Sequence, residues 1–155
     1  MILEIKKDKD LVLRKKCQEI KDLSSIKELI FDMKQTMEIA GGVGLAASQV
    51  GELKRVIIVR FPGQDNSFAL INPKIISKSF KKNLEKEGCL SFPGVFLDIK
   101  RAEKIRVDFL NEQGEKKSLF LQGLAARIVQ HEVDHLDGIV FLKRLSFFQR
   151  RKCNF

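Results

Sequence analysis

The chain has no tryptophan and no tyrosine, and phenylalanine supplies all of its aromatic content. Nothing in it resembles an RRM, KH or zinc-knuckle pattern, which argues against a dedicated reader of nucleic-acid sequence. Only three cysteines occur, Cys17, Cys89 and Cys153. They are odd in number and far apart, so no disulfide framework is expected, and each thiol needs its own explanation. No apolar run approaches the ~20 residues that span a bilayer. The first eight residues, Met1 to Asp8, lack the basic start and apolar stretch of a signal peptide. The expectation is a cytoplasmic protein, monomeric and without membrane association. Repeats, low-complexity segments and linkers are also missing, and 155 residues suit one domain covering 1–155 with a core of its own.

What is present is positive charge and clear periodicity. The net charge of +9 favours encounters with polyanions, although composition alone does not choose between a partner and a generic lysine-rich surface. Ser25 stands three residues before Glu28, a capping-box spacing, and Ile26, Leu29, Ile30, Met33 and Met37 then recur at helical intervals. This helix should stop at Gly41-Gly42. Val56-Ile57-Ile58-Val59 reads as a strand buried on both faces, and Phe68 to Ile71 as a second strand closed by Asn72-Pro73. Lys104 to Phe109 alternates as a half-buried strand, Asn111 to Gly114 turns, and Ser118 to Leu121 returns beside it as a hairpin. A last helix is predicted from about Gln122 to Asp137, with Gly138 as its stop. Strands in the middle and helices at the ends, with no regular βαβ alternation, give an α+β fold with an antiparallel or mixed sheet.

Both histidines fall in one window of the last helix, His131-Glu132-Val133-Asp134-His135. Residues four apart share a helix face, so the two imidazoles can grip one metal ion. Glu132 flanks that face, where a carboxylate can take a proton from water. Two histidines placed at random would fall this way, followed by a Glu, about once in a thousand chains. Leu124, Ile128, His131 and His135 lie on one face, so the histidines continue an apolar stripe and point inward. A pair of satisfied core histidines is the alternative. Two buried imidazoles side by side are costly without partners and natural with a metal between them.

Two histidines leave a divalent metal short of ligands. No third histidine exists, and a thiolate is the other strong choice, with Cys89 standing in Glu87-Gly88-Cys89-Leu90-Ser91. A further segment, Gly41 to Gly51, is too rich in Gly and Ala for ordinary core and carries one amide donor, Gln49. It has neither the Lys-Ser/Thr of a Walker loop nor the spacing of a dinucleotide fingerprint. Its glycines suit either a tight turn after a helix or the close approach of a ligand's backbone.

Taken together, Gly42-Val43-Gly44-Leu45-Ala46-Ala47-Ser48-Gln49, Glu87 to Ser91, and Gln130-His131-Glu132-Val133-Asp134-His135 resemble the three signatures of the peptide deformylases, in the same order. The similarity runs from about Leu13-Arg14 to Leu145. It implies antiparallel or mixed sheets packed around a central C-terminal helix carrying the metal motif, with an N-terminal helix. It implies removal of the formyl group from the N-terminal formyl-methionine of new polypeptides, with release of formate. Cys89, His131 and His135 would hold one divalent metal, typically Fe²⁺ and often replaced by Zn²⁺, Ni²⁺ or Co²⁺. Glu132 would take a proton from water and return it to the departing amine. Gln49 and the backbone N–H of Leu90 would face the developing oxyanion. The peptide would add as a strand around Val43, Gly44 and Gly88, with its methionine in an apolar pocket including Val43, Leu124 and Ile128. Glu87, Arg101 and Asp134 are candidates to support the ligands from behind, or else simple surface ion pairs.

Two departures from the family pattern stand out. Lys7-Asp8-Lys9-Asp10 replaces a Tyr-Pro-Asp-Pro-like stretch, which should alter only the path of the N-terminus. After Leu145 the chain is short, yet Lys143, Arg144, Arg150, Arg151 and Lys152 form a basic run that could meet a ribosome surface. The rivals are an H-E-x-x-H endopeptidase, whose usual downstream ligand is missing, and a non-catalytic metal module closed by a fourth ligand from Cys17 or Cys153.

Overall fold

The structure, a computed structural model, describes residues 1–153. Helix α1 (Lys27–Ile39) is followed by strands β1 (Gly44–Ala46), β2 (Val56–Val59), β3 (Phe68–Lys78), β4 (Lys82–Cys89), β5 (Phe92–Ala102), β6 (Lys104–Leu110) and β7 (Lys116–Gln122). Helices α2 (Gly123–Leu136) and α3 (Phe147–Cys153) follow. Five strands form one sheet in the order β1-β2-β3-β6-β7, and β4 and β5 form a separate hairpin. Every strand pair is antiparallel, so of the two expected sheet types the antiparallel one is realised.

Strand β2 shows why the sheet sits where it does. All four of its side chains are buried, and alternate residues point to opposite faces. Ile57 and Val59 join Leu70, Val107, Val129 and Leu136 in the core between the sheet and α2. Val56 and Ile58 join Ile30, Met33 and Met37 in the core between the sheet and α1. A third apolar cluster, with Leu13, Phe92, Ile99 and Phe141, seats the β4–β5 hairpin. Helix α2 is therefore enclosed, and every residue from Ala126 to Leu136 is buried.

Three sequence expectations need correction. The Ser25–Glu28 capping box does not form, because Leu23–Ile26 is a 3₁₀ turn capped by Asp22, whose carboxylate accepts from the Ser24 N–H. Ser25 Oγ instead donates to the Asp22 carbonyl. Asn72-Pro73 does not end β3: the strand runs to Lys78 with a register shift between Ile71 and Lys74. There Asn72 takes φ 50°. Its side chain accepts from the Ile20 N–H at 2.8 Å and donates to the Ile20 carbonyl at 2.8 Å. Asparagine tolerates this left-handed conformation better than most residues, so the chain bulges and continues.

The third correction is the β4–β5 hairpin, absent from the sequence reading. Lys82 to Glu87 is mostly charged and exposed, so it carries no apolar alternation. In β5, Leu97, Ile99 and Arg101 do alternate inward, but the third inward residue is an arginine and breaks the pattern. The predicted hairpin of β6 and β7 forms with Ile105 opposite Leu121, and α2 begins at Gln122 as its N-cap.

Candidate active site

Helical periodicity carries His131 and His135 to one face of α2, where their rings lie 5.0 Å apart between centroids. The β4–β5 hairpin delivers Cys89 to the same place, with Sγ 3.3 Å from His135 Nε2. The three donor atoms all lie within 4.8 Å of one another. A tetrahedral ion with Zn–S of about 2.3 Å and Zn–N of about 2.0–2.1 Å needs S and N about 3.6 Å apart, so these residues fit a divalent cation. Cys17 is buried elsewhere, 4.0 Å from the Glu52 carbonyl, and is not part of this cluster. The Cys153 side chain lies outside the described residues.

Of the ligand candidates, His131 is held from behind. His131 Nδ1 lies 2.8 Å from Glu87 Oε1, which leaves Nε2 as its free donor. Glu87 receives two bonds from Arg101, at 2.7 and 2.9 Å, and one from Arg127 at 2.6 Å. Arg101 also reaches Asp134 at 2.6 Å, and Asp134 takes two further bonds from Arg144. The structure thus buries Glu87, Arg101 and Asp134 in one network instead of leaving them as surface pairs. Burial works against the Glu87 charge, but His131 and Arg101 outweigh it and hold its pKa at about 2. For His131, burial opposes the proton, while Cys89 and Glu87 raise its pKa to about 10. Burial lowers that of His135, and the charged His131 beside it adds to this.

Glu132 is different: burial pushes its carboxyl up to about 7, against the lowering effect of His131. Its Oε2 is buried without a hydrogen-bond partner, as is His135 Nδ1. A carboxylate with an unspent oxygen beside three metal-type donors is poised to exchange a proton. Gly44 is what allows it to sit there, because a Cβ at Gly44 would overlap the Glu132 carboxylate.

The Gly/Ala segment forms β1 and then a 3₁₀ turn, Ala47–Val50. Gln49 Oε1 accepts from the Ala46 N–H at 2.8 Å, which fixes the orientation of the amide. Its Nε2 therefore faces Ser91 Oγ at 3.2 Å and Cys89 Sγ at 3.6 Å. Ser48 Oγ donates to the His135 carbonyl at 3.2 Å and ties this turn to α2.

A groove of about 600 Å³ brings together Val43, Gly44, Gln49, Gly88, Cys89 and Leu90 with His131 and Glu132. Two expected pocket residues do not line it. Leu124 is half exposed near the start of α2, and Ile128 is packed into the core beneath the sheet. Sequence reading also missed Ser91, Arg127 and the role of Arg144. Arg127 carried a signal: at four and seven residues before His131 and Asp134, it shares their face of α2. Arg144 had been grouped with the basic tail, whereas its guanidinium is committed to Asp134.

Two imidazoles and a sulfur converging at a groove, beside a buried carboxylate and an amide donor, define a metallohydrolase; a site that opens to ligands in this way is catalytic in type rather than structural. The polypeptide deformylase model matches residues 2–151, and the chain belongs to that family. It is 48% identical over 145 residues to the peptide deformylase of Dictyoglomus thermophilum, covering 93% of each chain. Among solved structures, the peptide deformylase from Thermotoga maritima matches with a TM-score of 0.90 at 37% identity, over 94% of this chain and 99% of that one. The Synechococcus elongatus peptide deformylase in complex with actinonin matches with a TM-score of 0.89 at 36% identity, over 99% of this chain and 86% of that one.

Proposed function

We propose that Cys89, His131 and His135 hold one divalent cation and that Glu132 moves the proton in hydrolysis of an N-terminal formyl amide. Family membership gives the reaction: the enzyme removes the formyl group from formyl-methionine at the start of nascent polypeptides. The single observation that carries the residue assignment is the unpartnered, buried Oε2 of Glu132 beside the three convergent donors. When bound, the cation supplies Lewis acidity, which acidifies water and polarises the formyl carbonyl. Fe²⁺ is the proposed native ion, with Zn²⁺, Ni²⁺ or Co²⁺ as substitutes.

The protein's own groups do the rest. Glu132, buried with one carboxylate oxygen unpartnered, accepts the proton of the attacking water and later gives it to the departing amine nitrogen. Gln49 Nε2, oriented by the Ala46 N–H, and the backbone N–H of Leu90 stabilise the oxyanion as charge builds on the formyl oxygen. Gly44 and Gly88 leave room for an extended peptide to lie along the groove. We assign the methionine side chain to the apolar part of the groove beside Val43, which lines it where Leu124 and Ile128 do not.

We also propose a cytoplasmic, monomeric, one-domain enzyme over 1–155. Among the described residues no helix is long and apolar enough to cross a membrane. Lys143, Arg150, Arg151 and Lys152 would favour encounter with the anionic ribosome surface; neutralising the last three should weaken co-sedimentation at low salt.

Formate release from a short formyl-Met peptide by anaerobically purified protein tests the whole reading. Release that is abolished by chelation and restored by Fe²⁺ is the expected result. Cleavage of internal bonds in casein, without formate release, would favour the endopeptidase instead.

A further inference from the structure

Lys7 belongs to the stretch where this chain departs from the family pattern, yet it does more than route the N-terminus. It lines the catalytic groove, and its Nζ donates to the Leu90 carbonyl at 3.0 Å. Leu90 is the residue whose N–H faces the oxyanion in the reading above, so the ammonium sits one peptide unit from the reacting centre. Its neighbour Lys6 points elsewhere and pairs with Glu4 at 2.5 Å. Lys7 has no acidic partner among the described residues; the Leu90 carbonyl is the one acceptor it reaches.

An ammonium carries three donors, and one is spent on Leu90, so two remain for a ligand. The charge around it is one-sided. Among the described residues Glu132 is the only acidic side chain lining the groove, and it is buried at the base while Lys7 is exposed at the mouth. A peptide lying along this groove would run beside a cation with unused donors. An extended strand advances about 3.3 Å per residue, so the side chains within reach belong to the first two residues after the methionine.

We propose that Lys7 is a specificity-determining residue that selects formylated chains carrying Asp or Glu at the first or second position after methionine. The carboxylate docks on the Lys7 ammonium, which stays anchored to the Leu90 carbonyl. Anchoring matters because a lysine already held by one bond loses less rotamer freedom when it takes a second partner. The pair is solvent-facing, so its effect is modest and weakens with salt.

The proposal rests on the deformylase reading, and the experiment separates the two. Formyl-Met-Asp-Ala-amide and formyl-Met-Asn-Ala-amide differ only in charge, as do formyl-Met-Ala-Asp-amide and formyl-Met-Ala-Asn-amide. For the wild-type enzyme at low ionic strength, kcat/KM for the acidic peptide should exceed that of its amide twin about threefold to fivefold in at least one pair, the scale of an exposed ion pair. In Lys7→Met that ratio should fall to about one, and in Lys7→Glu below one. Ratios are internal to each preparation, so partial misfolding of a variant does not blur them, and raised salt should shrink the wild-type ratio. A wild-type ratio of one in both pairs, or the same ratio in Lys7→Met, would overturn the role. No formate from any of the four peptides would instead remove the deformylase reading itself.

Discussion

Glu87 Oε1 lies 2.8 Å from His131 Nδ1, and that contact decides which imidazole nitrogen is left for a metal. Glu87 is in turn gripped by Arg101 and Arg127, so the histidine is oriented by a carboxylate that cannot itself rotate. Replacing Glu87 by Gln keeps the shape and removes the charge. Metal affinity should fall about 10- to 100-fold, the usual loss when a carboxylate behind a ligating histidine is removed. Competition with a chelator measures it directly, and unchanged affinity would show that Glu87 serves only the arginines.

Cys89 and Cys17 should behave as opposites. Cys89→Ser should strip the protein of metal, because a hydroxyl is a poor anionic ligand at neutral pH. Cys17→Ser should retain it. Elemental analysis of both variants gives the answer, and equal losses would remove Cys89 from the ligand set.

Cys17 also makes a prediction about alkaline pH. Burial pushes its thiol from 9.0 up to about 11, so the native state keeps the proton after the unfolded chain has lost it. The unfolded state then binds fewer protons, and stability should fall as pH rises from about 9 to about 11. In Cys17→Ala the decline over that window should be shallower in urea titrations. Identical slopes would mean that another group is responsible.

Glu132→Gln tests proton transfer alone. The amide is the same size but cannot accept a proton, so metal content should hold while turnover drops ~10²-fold or more. Wild-type turnover at full metal occupancy would refute the role.

Arg144 should matter to stability more than its place in a basic tail suggests. It makes two bonds to the buried Asp134, so Arg144→Gln leaves that carboxylate with Arg101 alone. A loss of about 1–3 kcal/mol is expected from a weakened buried charge network. Arg151→Gln, on the exposed tail, should change stability by less than about 0.5 kcal/mol. Paired urea melts that give equal values would mean the Asp134 contacts are idle.

The residues we propose for the chemistry were legible in the sequence because their spacing carries geometry. His131 and His135 are four apart on a helix with a clear apolar stripe, and β2 announced its two-sided burial by four β-branched residues in a row. What stayed hidden was held by charge rather than by hydrophobic period. The β4–β5 hairpin puts Arg101 where a strand pattern calls for an apolar residue, and Arg127 does the same on α2. The resemblance points to Glu87, Arg101 and Asp134 as supports or surface pairs, and only the fold shows that they are buried together and that Arg127 joins them. Asn72-Pro73 misled for a related reason: a turn signal was used to hold Ile20 across the sheet edge without ending the strand.

Cys89 and His135 stand 46 residues apart in the chain, and their hairpin and helix lie in different layers of the fold. In an extended, fluctuating chain a cation meets at most the His131–His135 pair. The sulfur joins that pair only where the β4–β5 hairpin is seated against α2. The complete donor set we propose for a cation is therefore expected only of the folded chain. A newly made copy should reach its native shape empty and load afterwards through the groove mouth.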